Sequence, residues 1–268
     1  MDMLDRRSIL GAAMVGLAAP AWLPALAAPL TRSRAGLIFV AVTIDGRVAK
    51  ALVDTGGSRG LQLSEAFAAS LRLTLAETGR RTQRYDGQRP VLGSRVKNVA
   101  FGGAAFRDVE VAVSPGDIEN ISRQIGESFD AILGWPLLGS RPFEIDYARN
   151  ALNVGSAGRA SGGIVLPLEA GRPLPVTSGT LAGQACTFLI DTGAPHCNVD
   201  PSMAGGAAIN SQVELALSIG GQSLKTTFRV KDLSAMTRGL GARAVIGDRL
   251  LRKYRLIWRP EARAIHLS

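Results

Sequence analysis

Residues 51–58, ALVDTGGS, run an apolar strand into a tight Thr-Gly-Gly turn that presents Asp54. Residues 188–195, FLIDTGAP, repeat the pattern and place Asp191, Thr192 and Gly193 after a second apolar strand. The likeness continues upstream in register, with Ile44, Gly46, Leu52 and Val53 opposite Leu181, Gly183, Leu189 and Ile190. A stretch that recurs in this way is one supersecondary unit used twice. Each copy carries one carboxylate, so bringing the copies together makes a carboxylate pair, an arrangement in which one group stays protonated while the other ionises. The expectation is a catalytic dyad of Asp54 and Asp191.

The rest of the chain repeats around these turns. Residues 37–43 and 48–53 read as a hairpin about Asp45-Gly46, and residues 96–101 and 106–113 as another about Gly102-Gly103. Residues 213–219 and 224–230 about Gly220-Gly221 match the second of these. Ile132-Leu133-Gly134 has its counterpart in Val245-Ile246-Gly247, and the closing hairpin at 143–154 has its counterpart at 254–267. Short strands with regularly spaced turns predict an all-β protein, with one short helix after Ser64. The interval from Asp54 to Gly102 is longer than that from Asp191 to Gly220. The surplus is a polar, Arg-rich stretch, 74–92, whose tip at Tyr85, Asp86 and Gly87 reads as a flap over substrate. Glycine-bounded residues 155–163 read as a linker. The organisation expected is a first lobe at 28–154 with the flap and a second at 164–268 without it.

Residues 1–27 read as an export signal: Arg6 and Arg7, an apolar Ala/Gly-rich run over 9–23, and Ala25-Leu26-Ala27 as a cleavage site. The arginine pair followed by Ser8, Ile9 and Leu10 resembles the twin-arginine signal, which places the mature protein in the periplasm or outside the cell. No later stretch is apolar for long enough to span a bilayer, so no stable membrane insertion is expected after cleavage. The formal charge of +9 is scattered along the chain without basic runs or interleaved aromatics, which argues against nucleic acid as a partner. Cys186 and Cys197 flank the second turn and leave open one disulfide or two buried thiols. Neither makes a zinc-ligand spacing with His196 or His266, and no metal or cofactor is expected.

Asp-Thr-Gly after an apolar strand, joined to a later apolar-apolar-Gly element, resembles the aspartic proteases of the retropepsin and pepsin group. The run 129–154 is similar in particular to the bacterial retropepsin-like members, and the resemblance covers nearly all of the chain beyond the signal. It implies two homologous lobes related by a pseudo-two-fold axis, with a substrate cleft between them. Asp54 and Asp191 would be the dyad. Thr55 and Thr192 would lock the two loops together, Gly56 and Gly193 would let them approach closely, and Ile132-Leu133-Gly134 and Val245-Ile246-Gly247 would brace them from beneath. Tyr85 resembles the flap tyrosine of pepsin-like enzymes.

The activity implied is that of an endopeptidase that hydrolyses a polypeptide bound as an extended strand. The shortened second lobe favours a monomer with its lobes paired within one chain. A homodimer pairing lobes between chains and an inactive peptide-binding module on the same fold are the other readings. Gly57 and Ala194 stand where pepsin-like enzymes carry Ser or Thr. Loss of that hydroxyl donor raises the dyad pKa values, so a mildly acidic to near-neutral working range is expected.

Overall fold

Apolar runs separated by Asp-Gly and Gly-Gly turns fold into hairpins throughout the computed structural model, which describes residues 27–84, 87–160 and 162–268. Residues 1–26 of the expected export signal, and Tyr85 and Asp86 of the expected flap tip, lie outside the described residues. In the first half the elements are β1 (Ala28–Arg32), β2 (Ile38–Ile44), β3 (Arg47–Asp54), β4 (Leu61–Leu63), α1 (Glu65–Ser70), β5 (Ala76–Arg84), β6 (Gly87–Phe101), β7 (Ala104–Val113), α2 (Asp117–Ile125), β8 (Ala131–Gly134), α3 (Trp135–Leu138), β9 (Phe143–Asp146) and β10 (Ala151–Val154). The second half has β11 (Ile164–Pro167), β12 (Val176–Leu181), β13 (Gln184–Asp191), β14 (Cys197–Val199), β15 (Gln212–Ile219), β16 (Gln222–Val230), β17 (Ala244–Gly247), α4 (Asp248–Leu251), β18 (Arg255–Arg259) and β19 (Ala264–Leu267). The protein is predominantly β.

Six strands of the first half follow the order β2-β3-β8-β4-β7-β6, and β6 pairs back onto β2 through Thr43–Ala100 and Ile44–Val99 to close the ring. The second half closes a barrel in the order β12-β13-β17-β14-β16-β15. The two orders correspond strand for strand. Both also contain the same two parallel pairings, β3 with β8 and β4 with β7 in one, β13 with β17 and β14 with β16 in the other. Strand β5, which extends β6 into a projecting hairpin, has no counterpart in the second barrel. A further run of strands, β11-β19-β18-β9-β10-β1, takes three from each half and joins them at β18 and β9, where Arg255 faces Asp146 and Trp258 faces Phe143. The halves are therefore tied by backbone hydrogen bonds within one chain.

Burial explains why β2 begins as an unbroken apolar run. Ile38, Val40, Val42 and Ile44 point into the first barrel, while Phe39 on the opposite face packs with Leu52, Ile118, Phe129 and Ile132 beneath α2. The outward Ala41 and Thr43 are exposed, so the alternation of a half-exposed strand returns beyond Phe39.

The structure departs from the sequence expectation at several elements, the short helices α3 and α4 among them. The flap's return strand and the first strand of the next hairpin are one continuous 15-residue strand, β6. Helix α2 lies in a stretch for which the sequence reading predicts no element. Its Ile118, Ile121 and Ile125 recur at helical spacing after Ser114-Pro115-Gly116, and that face packs onto the cluster around Phe39.

Candidate active site

Parallel pairing positions both aspartates. In the first barrel Asp54 ends β3 opposite Gly134 of β8, and in the second Asp191 ends β13 opposite Gly247 of β17. The glycines on the supporting strands allow each turn to fold back over its neighbour. A Cβ on Gly134 would strike the Arg59 carbonyl, and one on Gly247 the His196 carbonyl. Just beyond, the N–H of Trp135 donates to Gly57 O at 2.9 Å and that of Asp248 to Ala194 O at 2.8 Å. Ile132-Leu133-Gly134 and Val245-Ile246-Gly247 thus lie alongside the strands that carry the aspartates, hydrogen-bonded to them.

The turns meet face to face. Thr55 Oγ1 donates to Ile190 O at 2.8 Å and accepts from the Thr192 N–H at 3.0 Å. Thr192 Oγ1 donates to Val53 O at 2.7 Å and accepts from the Thr55 N–H at 3.1 Å. Both threonines are fully buried, so these four reciprocal bonds satisfy backbone groups that would otherwise be stranded away from water. A Cβ on Gly56 would lie 2.6 Å from both carboxylate oxygens of Asp191, and one on Gly193 would lie 2.5 Å from Asp54 Cγ. Each aspartate side chain therefore rests in the space that the glycine of the opposite turn leaves open.

The two carboxyl groups lie close enough across the junction for each to act on the other's charge. Burial, and then the charge of Asp191, push the Asp54 carboxyl well above the ordinary carboxylate range, against the pull of the Gly56 and Gly57 N–H groups. Burial also raises Asp191, while the hydrogen bond with Asp54 and the N–H groups of Gly193 and Ala194 hold it back; those N–H groups donate to its Oδ1 at 2.8 and 3.1 Å. Burial thus favours the neutral form of each carboxyl, and the two titrate as one unit. Asp191 is 6% exposed, whereas Asp54 keeps partial access to solvent through a cavity of about 300 Å³.

That cavity is lined by Asp54, Ser58, Arg59, Gln62, Asp117, Ile121 and Ile132, among others. Sequence reasoning does not single out Arg59, Gln62, Asp117 or Ile121. Arg59 Nη1 donates to Gln62 Oε1 at 3.0 Å and lies 3.9 Å from Asp117 Oδ2, while Nη2 donates to Thr82 Oγ1 of β5 at 2.6 Å. The signal that could have found Asp117 and Ile121 is the helical spacing of α2; nothing local marks Arg59 or Gln62. Ser58 lines the cavity, and no hydroxyl donates to the Asp54 carboxyl among the described residues.

Cys186 and Cys197 are buried free thiols, the first pushed up to about 11 by burial. His196 is half-buried beyond the second turn, and burial together with Arg229, Arg249, Lys231 and Arg252 lowers its pKa. His266 lies on β19, away from both turns. Among the described residues no group of three His, Cys, Asp or Glu side chains is arranged to hold a metal ion, and no helix is long and apolar enough to cross a membrane. Gly87 begins β6 opposite Arg84 at the end of the projecting hairpin.

The family model described as aspartyl protease matches residues 40–137, from β2 to α3. The match spans the first Asp-Thr-Gly turn, its supporting strand and the β5–β6 hairpin, and stops before the second turn. It supports an aspartic protease family and, with it, a peptidase. No curated protein matches the chain.

Proposed function

We propose that the chain is an aspartic endopeptidase in which Asp54 and Asp191 share one proton and activate a water molecule. The observation that carries this reading is the meeting of the two Asp-Thr-Gly turns, each carboxyl lying against the opposite glycine with Thr55 and Thr192 bonded reciprocally across the junction. The aspartyl protease match over the first turn supports it independently.

In the proposed reaction the ionised carboxylate withdraws a proton from water while its protonated partner donates to the carbonyl oxygen of the scissile peptide. Two carboxyls this close cannot both ionise, so the acid and the base are present in one protonation state of the pair. The two barrels are taken as lobes related by a pseudo-two-fold axis through the threonine bonds. The substrate lies extended between them and adds its backbone to neighbouring strands. The cavity beside Asp54, with Ile121 and Ile132 on one side and the Arg59–Asp117 pair on another, receives a side chain next to the scissile bond. The β5–β6 hairpin, tipped by Tyr85, Asp86 and Gly87, covers the substrate from the first lobe. The protein acts as a monomer, exported on the signal at residues 1–27 to the periplasm or beyond.

Digestion of a peptide library by the purified protein tests this, with and without a transition-state inhibitor of aspartic proteases. Internal cleavage that the inhibitor suppresses is expected. Cleavage indifferent to it, or none between pH 3 and 8, would remove the endopeptidase reading.

A further inference from the structure

Basic residues that are scattered in the sequence come together at one place beside the second turn. A cavity of about 410 Å³ is lined by Arg34 and Gly36 from the β1–β2 connection, Pro195 and His196 from the loop after Asp191, and Arg249 and Arg252 from α4 and its end. Three guanidinium groups from both halves of the chain thus border one space. No acidic side chain lines it. Arg34 and Arg249 are exposed, and neither makes an ion pair or a side-chain hydrogen bond among the described residues. The neighbouring acid is Asp248, buried beneath at the start of α4, whose charge is shared between Arg252 and Arg32. The lining itself therefore carries positive charge only, with Arg34 and Arg249 left free to meet an anion from solvent.

The cavity's place relative to the dyad follows from the repeat. His196 is the counterpart of Arg59: each follows its aspartate by the same interval, and the carbonyl of each lies against the glycine of its supporting strand. Arg59 lines the cavity that holds Asp54. On the endopeptidase reading, this correspondence puts the cavity of His196 beside the substrate path on the other side of the dyad.

We infer that this cavity is a subsite for a carboxylate side chain of the peptide, so that the substrates are polypeptides with Asp or Glu at a fixed distance from the scissile bond. The inference rests on the endopeptidase reading for its position and on the unpaired arginines for its chemistry. The planar guanidinium fork accepts a carboxylate through two parallel N–H donors, and a cavity this size admits a Glu side chain with room for both. An amide isostere of the same shape keeps one acceptor oxygen but sets an NH2 donor against the second N–H, and carries no charge.

The test uses matched fluorogenic peptides that differ only by Glu or Gln, scanned over four positions on each side of a cleaved bond. At low salt the ratio of kcat/KM values, Glu over Gln, should reach about tenfold at one or two positions and shrink as salt is added. It should fall to about one in the Arg34→Gln/Arg249→Gln protein and survive in large part in Arg34→Lys/Arg249→Lys, which keeps the charge. A ratio of one at every position in the unmodified protein, or a preference untouched by the double Gln substitution, would overturn the subsite. Fluorescence anisotropy of the same peptides on the Asp54→Asn protein separates the two readings. If no peptide is cleaved but the Glu peptide still binds more tightly and loses that advantage in the Gln background, the subsite stands and the endopeptidase reading falls. Equal binding of the Glu and Gln peptides counts against the subsite whatever the hydrolysis shows.

Discussion

Trp135 and Asp248 occupy the same place in the two halves of the chain. Each follows the glycine of a supporting strand, opens a four-residue helix and donates its backbone N–H to the residue three beyond an aspartate, Gly57 O or Ala194 O. Their side chains meet opposite environments. Trp135 packs against Trp258, with ring centroids 4.9 Å apart, and edge-on to Phe143. Asp248 is 1% exposed, and its carboxyl lies beside the buried Tyr147 hydroxyl, near enough to feel its dipole but without a well-formed hydrogen bond between them. Burial raises the Asp248 carboxyl to about 6 in spite of the nearby Arg32 and Arg252 and the Tyr147 hydroxyl, which pull it down.

The stability of the protein should reflect that burial. A carboxyl whose folded pKa lies above its ordinary 3.8 contributes stability at low pH, and that contribution is lost as pH rises from near 4 through about 6. A rise from 3.8 to about 6 corresponds to about 3 kcal/mol. Asp248→Asn should therefore gain stability relative to the parent between pH 4 and pH 7.5 by roughly that amount, as read from urea unfolding at the two pH values. An identical pH dependence in both proteins would contradict the assignment.

Replacing either member of the pair should stop hydrolysis. Asp54→Asn and Asp191→Asn each leave an amide that cannot share a proton, so kcat should drop by at least about a thousandfold while circular dichroism stays unchanged. Substantial residual turnover in either variant, beyond trace contamination, would dismiss the dyad.

The threonine bridge should be structural first and catalytic through position. Thr55→Val keeps the shape but removes the hydroxyl that serves Ile190 O and the Thr192 N–H, stranding both in a buried site. A loss of about 2–4 kcal/mol is expected by denaturant unfolding, with Thr55→Ser costing much less. Equal costs for the two would mean that the methyl group, not the hydroxyl, matters.

Activity should peak in a mildly acidic to near-neutral range, around pH 5 to 7, because both carboxyls are raised and the singly protonated pair is the working form. A Cβ at Gly57 would lie 3.1 Å from both Asp54 Oδ2 and Gly134 Cα, so a serine there brings its hydroxyl beside the carboxylate once the turn and its supporting strand part slightly. Gly57→Ser should move the kcat/KM profile toward acid by roughly one pH unit. A bell centred near pH 3 in the unmodified enzyme, or no movement in the variant, would refute this account.

The duplicated turns, their supporting Gly-ended strands and the hairpins about Asp45-Gly46, Gly102-Gly103 and Gly220-Gly221 are all legible in the amino-acid order. They depend on contacts between near neighbours and on residues with marked backbone preferences. The all-β character follows for the same reason. Other features depend on the tertiary structure. The bonds of Thr55 and Thr192 join residues 137 positions apart, and the strand pair β9–β18 joins the halves through positions that no periodicity singles out. Helix α2 escapes a reading of the sequence because its apolar stripe of three isoleucines is short and becomes a face only when it lies over Phe39 and Phe129. Arg34 and Arg249 are scattered charges along the chain, and only its closure sets them around one cavity. Local propensity reads from neighbouring residues, but electrostatic fields and burial depend on distance in space, which is known only once the two barrels have closed and met.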